Sequence, residues 1–290
     1  MAGTRTRTTV LDVDGHRRTL LEVAPAAQDA RPERLVLAVH GSNQSPARFR
    51  ATTARTLDAL AAEGTGVVVY PASWRRSLWN DARAGTASRA RQDGVDDVAL
   101  LRAVVHHHRA RGVRHVAAVG FSNGGQLIIR ALQDAPDLLD AAVLVGATLP
   151  SPDNLLAAAS TPRPIPVALV HGTRDPIVPF DGGEASLFGL RSRGTMQSFA
   201  QTVQHFVDAA DLQGPPRSKV LPHRRRSGTT TTQATYAAPG RPPVISCTVE
   251  GGGHTFPAPG LRMPSPAGRT SPDVDVAGLL RQLDDDSPSR

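Results

Sequence analysis

The sequence predicts a three-layer α/β fold, with a mostly parallel central sheet preceded by an antiparallel hairpin. The hairpin signal is Asp14-Gly15, which separates two alternating runs, Thr8 to Val13 and Arg17 to Val23. After it, short apolar runs of the kind buried in parallel sheets alternate with segments of helical periodicity. The 290 residues are 40% hydrophobic and show no strong break in composition, so we expect a single domain over residues 1–290.

Strand and helix signals alternate along the rest of the chain. The predicted strands are Leu35 to Val39, Gly66 to Tyr70, His115 to Gly120, Ala141 to Gly146, Ile165 to His171 and Val244 to Val249. The predicted helices cover 46–63, 93–111, 124–133, 195–210 and 274–283. Thr- and Pro-rich stretches predict loops at 229–232 and 239–243, and the tail 284–290 is expected to fray.

Composition excludes several classes of protein. A single cysteine, Cys247, excludes an intramolecular disulfide, and no apolar run approaches the roughly 20 residues of a membrane-spanning helix. The segment Met1 to Val10 lacks the apolar stretch of a signal peptide, so we expect a cytoplasmic protein with no membrane partner. The net charge of +7 includes one tight cluster, Arg224 to Arg226, and does not predict nucleic-acid binding.

The strongest chemical signal is the sequence Gly120-Phe121-Ser122-Asn123-Gly124. It fits G-x-S-x-G and lies between a predicted strand and a predicted helix, the context that a nucleophile elbow requires. Glycines on both sides let the chain turn sharply, so that the Ser122 hydroxyl is exposed at the tip. The backbone N–H of Asn123 then points to where an oxyanion would form. Ser122 is the candidate nucleophile, and the alternative is a Gly-rich turn with an N-capping serine.

A serine nucleophile needs a base, and the base needs a carboxylate that orients it. Asp175 follows the predicted strand that ends at His171, and His254 lies in a Gly-rich loop after the last strand. This order along the chain, and the position of both loops at strand ends, are those expected of such a site. Asp175 is favoured over Asp181 because prolines stiffen its loop, whereas Asp181 adjoins two glycines. Glu250 is too near His254 in sequence to orient it easily.

An oxyanion hole needs a second N–H donor, which comes from the loop after an earlier parallel strand. The sequence His40-Gly41-Ser42-Asn43 follows the predicted strand Leu35 to Val39. The backbone N–H of Ser42 is the candidate donor, and that of Asn43 is the alternative. A plain strand-to-helix turn is the competing interpretation.

Trp79 and Asn80 are candidates for substrate contact, together with Trp74 on the same loop. Aromatic residues make up only 4% of the chain, and two tryptophans on one loop suggest a contact surface. Packing of these rings against the sheet edge is an equally good interpretation.

The run His106-His107-His108 falls near the end of a predicted helix, where the helix dipole favours imidazolium. Adjacent residues on a helix point in different directions, so we do not expect these three to chelate one ion. Neither a metal nor another cofactor is predicted, because a site built from Ser, His and Asp needs none.

Three segments resemble the polyhydroxybutyrate depolymerase-type esterases of the α/β-hydrolase superfamily, a group with feruloyl and acetylxylan esterase relatives. The segments are Gly120 to Gly125, His171 to Gly183 and Glu250 to Pro257. The resemblance implies an α/β-hydrolase fold and a triad of Ser122, Asp175 and His254. The chain departs from the family in lacking cysteine pairs and in having Phe256 where Trp is frequent, and we expect Phe256 beside the substrate.

The resemblance implies a serine carboxylic-ester hydrolase that works through an acyl-enzyme, without a cofactor. The partner of such an enzyme is its substrate, which we expect to be a small-molecule or oligomeric ester with a short-chain, hydroxyacyl or aromatic acyl group. A transacylase or thioesterase of a biosynthetic pathway shares every motif, since fold and triad do not determine the substrate. The alternative of a different class is an inactive binding protein on a hydrolase scaffold.

Overall fold

A ten-stranded sheet forms the centre of the protein in a computed structural model. The structure describes residues 3–27, 29–84, 88–156, 163–187, 192–224, 227–258 and 266–285. The strands are β1 (Thr4–Val13), β2 (His16–Pro25), β3 (Arg34–Val39), β4 (Gly66–Pro71), β5 (His115–Phe121), β6 (Ala141–Val145), β7 (Val167–Gly172), β8 (Gly183–Ser186), β9 (Ser192–Met196), β10 (Arg217–Val220), β11 (Thr230–Tyr236) and β12 (Val244–Glu250). The helices are α1 (Pro46–Thr52), α2 (Asp58–Ala62), α3 (Arg89–Gln92), α4 (Asp97–Arg109), α5 (Asn123–Asp134), α6 (Phe199–Ala209) and α7 (Val276–Asp285).

The middle of the sheet is parallel and its edges are antiparallel. The strand order is β1-β2-β4-β3-β5-β6-β7-β12-β11-β10, and the strands from β4 to β12 in this order run parallel. Strands β1 and β2 pair from Thr4 opposite Pro25 to Val13 opposite His16. Strands β11 and β10 extend the other edge in antiparallel fashion, and β8 and β9 form a separate small sheet. The predicted mostly parallel sheet with a leading hairpin is confirmed.

Helices cover both faces of the sheet, because alternate residues of its central strands point to opposite sides. In β3, Leu35 and Leu37 belong to a buried apolar cluster that includes residues of α4, α5 and α6. Val36 and Ala38 belong to a second cluster, which includes residues of α1, α2 and α7. Burial on both faces explains why β3 is apolar at every position of its central run. The predicted three layers are confirmed.

The helix predicted over 46–63 is wrong in its middle, where a turn separates α1 from α2. The hydroxyls of Thr53 and Thr56 each donate to a backbone carbonyl three residues earlier, at 2.9 and 2.8 Å. Such local hydrogen bonds offer the backbone an alternative to a continuous helix.

Two other predicted helices begin later than expected. The helix predicted over 93–111 starts at α4, because the side chain of Asp96 accepts a hydrogen bond from the N–H of Val98 at 2.9 Å. The helix predicted over 195–210 starts at α6, since Ser198 and Gln201 form a capping box there. The residues before Ser198 belong partly to β9 instead. Both starts carry a capping signal that the apolar spacing alone does not show.

The loop predicted at 229–232 is also wrong, because most of it forms the start of β11. Thr231, Gln233 and Thr235 are buried on one face of that strand, and β-branched threonine suits a pleated, half-buried surface. The loop predicted at 239–243 agrees with the structure.

The predicted frayed tail is wrong in its first residues, because Asp284 lies within α7. Its carboxylate forms an ion pair with Arg34 and lies 3.5 Å from His115 Nε2. Residues 286–290 lie outside the described residues, as do Arg225 and Arg226 of the basic cluster. No described helix is long and apolar enough to cross a membrane.

Candidate active site

Ser122 lies in the sharp turn between β5 and α5, with φ 54° and ψ −124°. A non-glycine residue adopts such a conformation at a cost on the order of 1–3 kcal/mol, which is typical of functional turns. The flanking glycines make the turn possible. A Cβ on Gly124 would lie 2.3 Å from the carbonyl oxygen of Val39, and one on Gly120 would lie 2.6 Å from the Cα of Gly125. Because Gly124 has no side chain, the start of α5 packs directly against the end of β3.

His254 reaches Ser122 from the loop that follows β12. The Ser122 hydroxyl lies 2.8 Å from His254 Nε2, although the two residues are 132 positions apart in sequence. The imidazole is buried, and the ring of Phe121 lies beside it with centroids 5.2 Å apart. Gly146 has φ 58°, and a Cβ there would lie 3.3 Å from His254 Nδ1, so this glycine leaves room for the ring.

Asp175 holds the other side of the imidazole. Its Oδ2 accepts a 2.7 Å hydrogen bond from His254 Nδ1–H, and its Oδ1 accepts from the N–H groups of Ile177 and Val178 at 2.9 Å each. Burial alone would raise the pKa of Asp175, but the charge and hydrogen bond of His254 lower it below its ordinary value. An ionised Asp175 makes Nδ1 the donor, which leaves His254 Nε2 free to accept the Ser122 proton.

His171 contacts the loop that carries Asp175. Its Nε2 donates to the carbonyl oxygen of Val178 at 2.9 Å and lies 3.5 Å from Asp175 Oδ2. The ring is buried, and desolvation lowers the pKa of His171, which keeps the imidazole neutral at pH 7. His171 therefore holds this loop by hydrogen bonding.

A cavity of about 670 Å³ opens onto Ser122 and His254. Ser42 and Asn123, the residues expected to supply the two oxyanion donors, line the same cavity. The loop after β3 lies close to the nucleophile, because a Cβ on Gly41 would be 3.4 Å from the Cβ of Ser122. The volume lies within the range of sites for small organic ligands.

Trp79 is not a substrate contact, contrary to one of the two predictions for it. The side chain is fully buried, and Trp79 is absent from the cavity lining among the described residues. Its indole N–H donates to the carbonyl oxygen of His40 at 2.8 Å, and its backbone N–H donates to Asn123 Oδ1 at 2.7 Å. Through these two hydrogen bonds, Trp79 connects the loop after β3 with the start of α5, the segments on either side of Ser122.

Asn80 and Phe256 are not on the cavity wall in the described residues either. The Asn80 side chain accepts from Arg91 Nε at 3.1 Å, and Asn80 lies with that arginine at a different surface hollow. Phe256 is fully buried and packs edge-on against Phe49 and Phe121, with centroids 5.7 and 6.0 Å apart. The substrate contact predicted for both residues is wrong, because their side chains face neighbouring protein groups.

His40 fixes the loop that carries Ser42. Its Nδ1 donates to the Gly41 carbonyl oxygen at 2.7 Å, and its Nε2 accepts from the N–H of Ser73 at 3.3 Å. Burial lowers the pKa of His40 to about 4, so the ring is neutral at pH 7. No motif marks this side chain in the sequence, although it follows β3 directly and so lies at the edge of the sheet where the site forms.

Two further polar residues near the site also escaped the sequence analysis. Arg193 lines the cavity, and its Nη2 donates to the Ser42 hydroxyl at 2.9 Å. Asp81 is buried nearby, and desolvation raises the pKa of its carboxyl even though Arg193 acts in the opposite direction. Neither residue lies in a motif, so only the folded chain reveals that Arg193 contacts Ser42 and that Asp81 lies near Arg193 and Asn123.

Comparison with known proteins agrees with this fold. Residues 75–212 match the Abhydrolase_2 family, described as phospholipase/carboxylesterase. The chain is 32% identical over 243 residues to "Putative esterase NocK" of Nocardia uniformis subsp. tsuyamanensis, a match that covers 81% of this chain and 68% of that protein. The fold and the site define an α/β-hydrolase. The chain belongs to the esterase family of that superfamily that includes NocK.

The solved structures to which the chain is partly similar include one named as an esterase and one named as a hydrolase. One is a cold-adapted esterase from an Arctic intertidal metagenomic library, with 16% identity, a TM-score of 0.43, and coverage of 59% of this chain and 74% of that one. Another is poly(aspartic acid) hydrolase-1 from Sphingomonas sp. KT-1, with 20% identity, a TM-score of 0.45, and coverage of 61% and 74% respectively.

Proposed function

We propose that the protein is a serine carboxylic-ester hydrolase that works through an acyl-enzyme on Ser122. One observation carries the proposal, the continuous hydrogen-bonded chain from Ser122 through His254 to Asp175. A nucleophile, a base and a carboxylate that orients the base form the minimal set for this chemistry. The membership of the chain in an esterase family supports the same reaction.

In the proposed reaction, Ser122 Oγ attacks the ester carbonyl carbon while its proton passes to His254 Nε2. The backbone N–H groups of Ser42 and Asn123 stabilise the negative oxygen of the tetrahedral intermediate. The intermediate collapses, the alcohol leaves with the proton from His254, and the acyl group remains on Ser122. Water then attacks the acyl carbon as His254 takes its proton. The carboxylic acid leaves, and the proton returns to Ser122.

Asp175 holds His254 in the tautomer that this sequence of proton transfers needs. Its lowered pKa keeps it ionised, so that it stabilises the imidazolium that forms in each half-reaction. The two backbone N–H donors on its Oδ1 fix the carboxylate itself. No metal or other cofactor has a part in these steps.

We expect the substrate to be a small ester with a short-chain, hydroxyacyl or aromatic acyl group, as the resemblance to polyhydroxybutyrate depolymerase-type esterases implies. The cavity lining includes the apolar side chains of Ile177, Val178 and Leu187, which suit an alkyl or aryl group. Arg193 and Ser192 add polar groups that suit a hydroxyl or carboxylate on the substrate. A short oligomeric ester of hydroxy acids combines both features.

Steady-state and burst kinetics on a panel of p-nitrophenyl esters test the proposal. Acetyl, butyryl, 3-hydroxybutyryl and feruloyl esters compare the acyl groups. We expect turnover of at least one ester and a loss in kcat on the order of 10⁴–10⁶-fold in Ser122→Ala. Product analysis with and without an acceptor alcohol separates hydrolysis from acyl transfer. Equal rates in the wild type and Ser122→Ala would contradict the proposal.

A further inference from the structure

A second cluster of ligating side chains lies where the end of α4 packs against the hairpin. Glu22 is on β2, and His107 and His108 are in the last turn of α4. One ligand atom from each of the three residues lies within 4.8 Å of the other two. Of the three adjacent histidines of the sequence, His107 and His108 belong to this group, and their ring centroids are 5.2 Å apart at an angle of 71°.

The polar atoms of this cluster are buried without partners. Glu22 Oε1, His107 Nε2 and His108 Nε2 have no hydrogen-bond partner in the part of the chain that the structure describes. Glu22 is 0% exposed and His108 is 4% exposed. Buried polar atoms normally have partners, so three such atoms on residues whose ligand atoms lie within 4.8 Å of one another indicate a ligand.

Arg7 explains why only one oxygen of the carboxylate is available. Its Nε and Nη2 lie 2.8 and 2.7 Å from Glu22 Oε2, and the Thr9 side chain also hydrogen-bonds to this carboxylate. Oε1 has no partner within hydrogen-bond distance in the described residues. A carboxylate that ligates a metal usually accepts such a hydrogen bond on its other oxygen, which orients it toward the ion. In this arrangement Glu22 has the position of a metal ligand, and Arg7 orients its carboxylate.

We propose that Glu22, His107 and His108 bind one divalent transition-metal ion of the Zn²⁺ type. Two imidazole nitrogens and one carboxylate oxygen are a ligand set that zinc takes in proteins, with water in the remaining position. Tetrahedral ligand atoms about 2.0–2.1 Å from zinc are roughly 3.3 Å apart, so the three side chains need only a small closure from their present spacing.

A cavity beside the cluster gives an ion access to it. Glu22 and His108 line a cavity of about 390 Å³, whose wall also includes Arg5, Arg31 and Arg111. These positive charges disfavour cations held mainly by charge, such as Mg²⁺. Only a metal whose bonds to imidazole are strong can bind against this repulsion. The bound ion would join β2 to α4 and thereby stabilise the packing of the hairpin on the helix layer.

Calorimetric titration of the untagged, chelator-treated full chain with Zn²⁺ tests this proposal. The variants are His107→Gln and Glu22→Gln, with His106→Gln as the matched control, because His106 is exposed on the same helix and outside the cluster. We expect one equivalent of Zn²⁺ to bind the wild type and His106→Gln with equal affinity. Affinity should fall at least tenfold in His107→Gln and in Glu22→Gln. Circular dichroism checks that each variant is folded.

Two further measurements use the same proteins. Zn²⁺ should raise the melting temperature of the wild type and His106→Gln but not that of His107→Gln, and Mg²⁺ should raise none of them. Co²⁺ should give visible d–d absorption with the wild type that is absent in His107→Gln. Binding of less than one equivalent by the wild type, or equal affinity in folded His107→Gln, would overturn the proposal. Ester hydrolysis is measured separately, because the proposal does not depend on it.

Discussion

The backbone N–H of Trp79 donates a 2.7 Å hydrogen bond to the side-chain oxygen of Asn123, the residue that follows Ser122. The indole N–H of the same tryptophan donates to His40, at the root of the loop that carries Ser42. One buried residue therefore connects the two segments whose N–H groups are the proposed oxyanion donors. Its effect on the reaction would come through position, since it is absent from the cavity wall in the described residues.

Replacing Trp79 by Phe should lower kcat more than it changes KM. The variant loses the bond to the His40 carbonyl, leaves a buried acceptor unpaired and removes part of a buried ring, so stability should fall by about 1–3 kcal/mol. Chemical denaturation and steady-state kinetics on one ester measure both effects. Trp74→Phe is the control, because that indole N–H bonds to Asp93 at an exposed position. A large rise in KM with unchanged kcat would instead indicate that Trp79 contacts the substrate.

Asp175→Asn should fold and lose roughly 10⁴-fold in kcat, by analogy with the same change in another triad. The amide of Asn cannot stabilise an imidazolium, and its NH₂ group can oppose the Nδ1–H of His254. Asp181→Asn is the control, since Asp181 is exposed and six positions farther along the loop. It should keep nearly full activity on the same ester. The reverse ranking of the two variants would require a different carboxylate.

The three residues at the centre of the site were predictable because each lies at the carboxyl end of a strand and the chain order matches. The roles of Trp79 and Phe256 were not predictable in this way. Phe256 is buried because Phe49 on α1 and Phe121 on β5 enclose it, and these positions are more than 100 residues away in sequence. Apolar spacing likewise did not show the threonine side-chain bonds that break the helix predicted over 46–63.

Stability should fall as the pH is lowered from about 6.5 to about 4, in part because of His40. Burial lowers the pKa of this imidazole from 6.5 to about 4, so the unfolded chain takes up the proton first. The contribution is fully present above pH 6.5, decreases through this window by roughly 3 kcal/mol, and does not change further below it.

Unfolding free energies of the wild type and His40→Gln between pH 7.5 and 4 measure this contribution. The decrease in stability on acidification should be smaller in the variant, and the difference between the two proteins isolates His40 from other buried histidines such as His108. Identical pH slopes in the two proteins would show that His40 is not held neutral by burial.

Covalent labelling with a fluorophosphonate, followed by intact-mass spectrometry, identifies the nucleophile of the site. Ser77 also lines the cavity, so Ser77→Ala is the matched control for Ser122→Ala. We expect one phosphonyl group per chain in the wild type and in Ser77→Ala, located on Ser122 by peptide mapping, and none in Ser122→Ala. A phosphonyl group that persists in folded Ser122→Ala, or is absent from the wild type, would contradict the assignment of Ser122 as the nucleophile.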